Sequence, residues 1–199
     1  MLRLVTLQVY GRSLGGLAPP GALPPGVELV VVDRPMGTGD LRGTWHPDAE
    51  RRLRGGQTCA VARHGTDVVG YCWMARTPVW VEEIGNAIVP APGEVYLYDA
   101  FTLPAWRGRG LFFGLLSHLL ALARSQGLDR GLIVADIRNR ASRRAIEKAG
   151  FEIVQAVSRL ELCGLTRVWL RRRRASSSPV TLVRSRMTLS HEDDDRPGA

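Results

Sequence analysis

Residues 103 to 114 read Leu-Pro-Ala-Trp-Arg-Gly-Arg-Gly-Leu-Phe-Phe-Gly, two glycines alternating with two arginines ahead of a leucine-rich stretch. Glycine at 108 and 110 lets backbone approach a ligand with no Cβ in the way. The helix that follows would aim its unpaired N–H groups, and the positive end of its dipole, at the same point. With Arg107 and Arg109 beside them, these features make an anion cradle suited to a phosphate. Just upstream, the run Glu-Val-Tyr-Leu-Tyr-Asp-Ala-Phe-Thr (94 to 102) carries Glu94 and Asp99, two carboxylates able to move a proton. Five residues apart, they would face opposite sides of a regular strand.

Other chemistries fit less well. A phosphate loop of the nucleotide-hydrolase kind needs Lys-Ser/Thr after its second glycine, and Gly110 is followed by Leu111 and Phe112. A dinucleotide fingerprint needs G-x-G-x-x-G on a first βαβ unit; here the spacing is Gly108, Gly110, Gly114, and a hairpin comes before it. Cys59, Cys72, Cys163 and the histidines at 46, 64, 118 and 191 are scattered, with no metal-ligand spacing and no disulfide framework. Formal net charge is +8, yet Lys148 is the only lysine among 27 basic residues. So strong an arginine bias reflects base composition better than phosphate recognition, and the aromatics are not interleaved with basic residues as in RNA-binding modules. Nucleic acid is therefore not the expected partner. No apolar run is long enough to span a bilayer, and the N-terminus lacks the pattern of a signal peptide, so a cytoplasmic protein is expected.

These residues need elements to position them. Residues 1–10 alternate weakly, as an edge strand would, and 15–26 form a Pro/Gly linker. Residues 27–33 read as a strand, 38–54 as one or two short helices, and 58–76 as a hairpin turning at 64–67. A strand over 94–102 leads into the glycine loop. Apolar residues at helical spacing then predict a helix over 110–126, stopped by Gly127. A strand over 131–137 precedes a helix capped by Asn139 and ended by Gly150, and a last hairpin turns around Gly164. The organisation expected is residues 1–26 as strand-like segment and linker, a domain over 27–174, and a disordered tail over 175–199. The order of elements gives an α/β fold with a mixed sheet.

Arg107-Gly-Arg-Gly-Leu-Phe resembles the R/Q-x-x-G-x-G/A acyl-CoA signature of the GCN5-related N-acetyltransferases (GNAT). Asn139-Arg-Ala-Ser-Arg-Arg-Ala-Ile-Glu-Lys-Ala-Gly-Phe151 is similar to that family's N-x-x-S/A helix ending in E-K-x-G-F. The likeness covers roughly residues 27 to 171. It implies a GNAT-like mixed, mostly antiparallel central sheet flanked by helices, with acetyl-CoA as co-substrate and no metal. It implies that Arg107, Gly108, Arg109, Gly110, Leu111 and Phe112 hold the diphosphate. Backbone of Phe101, Thr102 and Leu103 would pair with the pantetheine arm, and Asn139 would lie near the thiol. Two positions depart from the pattern: Phe112 stands where a small residue closes the signature, and Ile146 where many members carry a tyrosine acid.

The activity implied is acetyl transfer to an amine by direct attack. An alkylamine is neutral in only about one molecule in a few thousand at pH 7, so a base matters. Glu94, thirteen residues before Arg107, falls on the base position of histone-type members, with Asp99 the second candidate. The partners expected are acetyl-CoA and an amine acceptor, with no membrane and a homodimer left open. Trp73, Trp80, Tyr96 and Tyr98 either line the acceptor pocket or belong to the core. The readings set against this one are a non-catalytic acyl-CoA-binding domain and a basic nucleic-acid module.

Overall fold

The computed structural model describes residues 2–35, 42–43, 48–163, 165–172 and 180–184. In chain order the strands are β1 (Leu2–Ser13), β2 (Val27–Val32), β3 (Arg42–Gly43), β4 (Thr58–His64), β5 (Asp67–Ala75), β6 (Val79–Val81) and β7 (Asn86–Val89). They continue with β8 (Glu94–Thr102), β9 (Arg130–Asp136), β10 (Glu152–Leu162), β11 (Leu165–Arg172) and β12 (Thr181–Val183). Among the described residues three α-helices, α1 (Ala49–Arg54), α2 (Leu111–Ser125) and α3 (Arg140–Lys148), are interspersed. Among the described residues the main sheet has nine strands in the order β11-β10-β1-β9-β8-β5-β4-β2, with β3 added beside β5. Only β8/β9 and β3/β5 are parallel; every other pair in it is antiparallel. The mixed, mostly antiparallel sheet flanked by helices is thus the fold observed.

One face of the sheet is covered by α2 and α3. Leu111, Leu115, Leu116, Leu119, Leu120 and Ala123 of α2 are at most 1% exposed, and they pack on Val95, Leu97, Cys72 and Met74 of the strands. Full burial of one such leucine contributes about 1.5–3 kcal/mol, so this stripe anchors the helix whose first turn matters below. The other face has two separate covers. Over β4 and β5 lies α1, with Ala49 and Leu53 against Trp73, Tyr71 and Val61. Over β1, β8, β9 and β10 lies a small sheet in the order β12-β7-β6, with Ile84, Ile88 and Val180 against Val9, Tyr96 and Leu132.

Three expectations change. The first strand is not an edge: β1 lies between β9 and β10 and pairs with both, because Val5, Leu7 and Val9 bury one face while Tyr10 buries the other. The Pro/Gly segment is not a free linker. Gly21 N–H donates to Ser117 Oγ at 2.9 Å, and Leu23 lies so close to α2 that a Cβ on Gly114 would meet it at 2.6 Å. Part of the expected disordered tail is ordered: β12 pairs with β7, and Val180 is 3% exposed. Residues 175–179 and 185–199, the helical reading over 38–41 and 44–47, and Gly164 lie outside the described residues. Within them, no helix is long and apolar enough to cross a membrane, and no group of His, Cys, Asp and Glu could hold a metal ion.

Candidate active site

The parallel pair β8/β9 ends early. Its register runs from Glu94↔Arg130 to Leu97↔Ile133 and stops. Yet β8 continues along β5 to Thr102, and β9 continues along β1 to Asp136. Beyond Leu97 and Ile133 the two strands part, leaving a fork in the middle of the sheet. Each prong leads into a helix: β8 into the glycine loop and α2, β9 into α3. Both helix N-termini therefore stand at the open end of the fork, the carboxyl ends of the parallel strands, where ligands of open α/β sheets are held.

Asp99 opens that fork. Opposite Cys72 of β5 stand two residues of β8, Asp99 and Ala100, because Trp73 pairs with Tyr98 and Tyr71 with Phe101. This is a β-bulge, and Asp99 absorbs it with φ +46°. The bulge also breaks the alternation expected of a regular strand. Glu94 shares the parity of Tyr96 and Tyr98, on the face opposite α2, and Asp99 comes out on that same face, reaching Arg52 of α1.

Around Asp99 the contacts are dense. Arg52 Nη1 lies 2.5 Å from Asp99 Oδ2, with side-chain exposures of 14% and 30%. The Arg52 guanidinium also lies 5.0 Å from the ring centre of Trp73 and 5.1 Å from that of Tyr98. Tyr98 donates its hydroxyl proton to Gln57 Oε1 and packs against both apolar covers, so it marks the seam between α1 and the small sheet. Burial raises the Tyr98 hydroxyl well above the ordinary phenol range, and raises Tyr96 likewise. Trp73 and Tyr96 are core, at 0% and 2% exposure, and Trp80 is half-buried on β6. The arginine at 52 was not singled out in the sequence; one arginine among so many carries no local signal.

Glu94 is placed differently. It is 7% exposed, accepts a hydrogen bond from Arg130 at 2.8 Å and another from the Ala91 N–H at 3.1 Å. It sits in the paired part of the strands, about 16 Å along β8 from Asp99 at 3.3 Å per residue. The structure does not bring the two carboxylates together.

The loop after β8 is stiffened by Pro104 in a 3₁₀ turn, Pro104–Trp106, and by Trp106, which meets the His64 ring at a tilt (5.0 Å) and lies under the Arg109 guanidinium (5.2 Å). Gly108 and Gly110 have φ of +73° and +82°, values that strain any residue with a Cβ, and a Cβ added at either would meet nothing within 4 Å. Gly110 is the N-cap of α2, and no side chain caps that helix. Phe112 already lies in the first turn. Counted from Arg107, the R/Q-x-x-G-x-G/A pattern puts Gly110 at its first glycine position and Phe112 at its last, so Phe112 remains the position that departs from it. Open backbone N–H groups of Leu111 and Phe112, glycine faces free of side chains, and the exposed Arg107 and Arg109 fit a diphosphate.

The three backbone positions expected to meet pantetheine do not all face the fork. Leu103 N–H donates to Val69 O at 2.9 Å, and the Phe101 carbonyl is turned toward Gly70, so both are committed to β5. Thr102 alternates with them and turns its carbonyl away from β5, where it accepts from Arg107 Nε at 3.2 Å. On the other prong, Asn139 caps α3 by accepting from Ser142 N–H at 3.0 Å. Nearby, Arg138 hydrogen-bonds Asp136 and holds that carboxyl below its usual range. Ile146 is fully buried in the core, so the position offers no proton donor.

With this geometry in hand, comparison with known proteins gives a consistent picture. The sequence model of the acetyltransferase (GNAT) family matches residues 32–151, more than half of the chain. No curated protein sequence matches it. Among solved structures, a GCN5-related N-acetyltransferase from Sphaerobacter thermophilus superposes with a TM-score of 0.57 at 16% identity, over 80% of this chain and 52% of that one. A putative GNAT-family acetyltransferase from Novosphingobium aromaticivorans gives 0.52 at 17% identity, over 86% and 66%. A tandem GNAT protein from the clavulanic acid biosynthesis pathway gives 0.51 at 15% identity, over 75% and 50%. At such identities the likeness is one of fold. The chain spans about half to two thirds of the length of these structures.

Proposed function

Because the chain belongs to the acetyltransferase (GNAT) family, we propose that it transfers an acetyl group from acetyl-CoA, the family's co-substrate, to an amine by direct attack. When bound, acetyl-CoA supplies a thioester whose acyl carbon is the electrophile. Gly108, Gly110 and the first turn of α2 hold the diphosphate by backbone N–H groups, with Arg107 and Arg109 adding charge. Each such dipole contact is modest, about 0.3–1 kcal/mol, and several act together. Thr102, facing the fork, is the one of the three backbone positions not committed to β5, and its N–H would meet the pantetheine arm, with Asn139 bordering it from the other prong.

The fork itself is the observation that carries this reading: a gap between parallel strands with a bulged carboxylate at its base and two helix N-termini at its mouth. The acceptor reaches Asp99 from the face opposite α2, through the seam at Tyr98. As the amine nitrogen bonds to the acyl carbon and the carbon–sulfur bond breaks, Asp99 takes the amine's proton, directly or through water. The thiolate leaves and is protonated by solvent. For a thiol with a pKa near 8.5, leaving without an acid costs roughly 2 kcal/mol at pH 7, which makes the absent tyrosine tolerable. Position supports Asp99 over Glu94 as the base, since a base must come within hydrogen-bond reach of the proton it removes.

The test is CoA release from acetyl-CoA across a panel of amines. Asp99→Asn should lower the rate by roughly 10²–10⁴-fold with acetyl-CoA affinity nearly unchanged. Glu94→Gln should leave the rate within a few-fold while lowering stability by about 1.5–3 kcal/mol, the worth of a hydrogen bond to a charged group. Reversed effects would return the base role to Glu94. The buried Ile146 favours a second reading, an acyl-CoA-binding domain without turnover. CoA release with any amine eliminates it.

A further inference from the structure

Resting on that reading of the site, the contacts of Arg52 say what kind of acceptor fits. Its guanidinium lies over the rings of Trp73 and Tyr98, 5.0 and 5.1 Å from their centres, and its Nη1 is 2.5 Å from Asp99 Oδ2. Two aromatic rings and one carboxylate act together on a cation here, because ring quadrupoles and the carboxylate attract the same charge. The site lies at the seam between α1 and the small sheet, beside the bulge where the reacting atoms must meet. The backbone is held at φ +46° to keep the Asp99 carboxylate on this face, where an unbulged strand would have turned it to the other.

We propose that Arg52 is a built-in occupant of the acceptor's ammonium site. An incoming primary alkylammonium takes its place against Asp99 and Tyr98, and the displaced side chain swings out toward solvent. The acceptor class is then a cationic alkylamine with no carboxylate beside the amine, since an anionic group there would face Asp99. The exchange of one cation for another keeps the carboxylate paired at each stage, so neither state leaves an unpartnered charge. It also releases Asp99 to the acceptor only when a competing cation arrives.

Arg52→Met tests this, because it keeps an apolar stem on the rings and removes the cation. Butylammonium and butyrate serve as probes, each titrated by NMR into the full chain with and without saturating acetyl-CoA. The variant should bind butylammonium at least tenfold more tightly than the wild type, with butyrate affinity unchanged. Equal butylammonium affinity in the two proteins would overturn the proposal. So would butyrate binding that is present in the wild type and lost in the variant, which would make Arg52 a carboxylate anchor. Should the methionine variant fail to fold, Arg52→Gln, which keeps a polar side chain but no cation, should still gain several-fold for butylammonium; no gain would overturn the proposal. Acetyl-CoA affinity is measured alongside: its absence in the wild type defeats the acetyltransferase reading, whereas its presence without the butylammonium gain defeats only the role of Arg52.

Discussion

Asp99 holds a left-handed backbone conformation that costs a non-glycine residue about 1–3 kcal/mol, though aspartate tolerates it better than most. The fold keeps that strain where β8 leaves β9, and what it achieves is a carboxylate on the face opposite α2, paired with Arg52. Phenols line the same face. Burial raises the hydroxyl of Tyr71 to about 12, and raises Tyr96 and Tyr98 further. In each case the folded-state value lies above the unfolded one, so the stability contributed is complete below about pH 10, the unfolded phenol value, and is lost as pH rises through the folded values. Thermal melting should therefore be flat in this respect up to about pH 10 and fall steadily between 10 and 12. A melting temperature that holds constant across that window would mean these rings are solvated.

At the scale of elements, the sequence was most legible where periodicity was strong. The helix expected over 110–126 is α2 at Leu111–Ser125, and the hairpin over 58–76 is β4 and β5. It was least legible where burial depends on partners distant in the chain. Nothing local in Leu2–Ser13 reveals that β9 and β10 will enclose it, and a Pro/Gly composition does not announce that Gly21 and Leu23 dock on α2. Short strands such as Val79–Val81 and Thr181–Val183 carry too few residues to show a period, and only their pairing with β7 defines them. In the candidate site, the glycine loop was readable because φ above zero demands glycine, whereas the bulge at Asp99 and the partnership with Arg52 were not, since both arise from tertiary contacts. Removing residues 1–26 would open the sheet between β9 and β10 and take away the buried Val5, Leu7, Val9, Tyr10 and Leu14. At about 1.5–3 kcal/mol for each large apolar side chain, that loss rivals the whole stability of a domain, about 5–15 kcal/mol. The truncated chain should show no cooperative melt by circular dichroism; a melt like that of the full chain would make residues 27–174 autonomous after all.

For the molecule as a whole, the formal net charge of +8 attracts anions in general. Two parallel strands part, their helices begin at the gap, and Tyr98 packs against both covers of the opposite face, so in the function proposed above the two substrates would approach the same bulge from opposite sides of one sheet. The central claim is that the turn at Gly108 and Gly110 holds the diphosphate of acetyl-CoA. Calorimetric titration of acetyl-CoA into the wild type and Gly110→Asp tests it most directly. A Cβ at Gly110 meets nothing within 4 Å, so the variant should fold, at a cost of about 1–2 kcal/mol for the left-handed conformation. The wild type should bind at a single site and gain about 2.7 kcal/mol of stability at a hundredfold excess over the dissociation constant. The folded variant, with a carboxylate facing the phosphates, should show no binding. A folded Gly110→Asp protein that binds acetyl-CoA as tightly as the wild type would place the phosphates elsewhere and contradict the account.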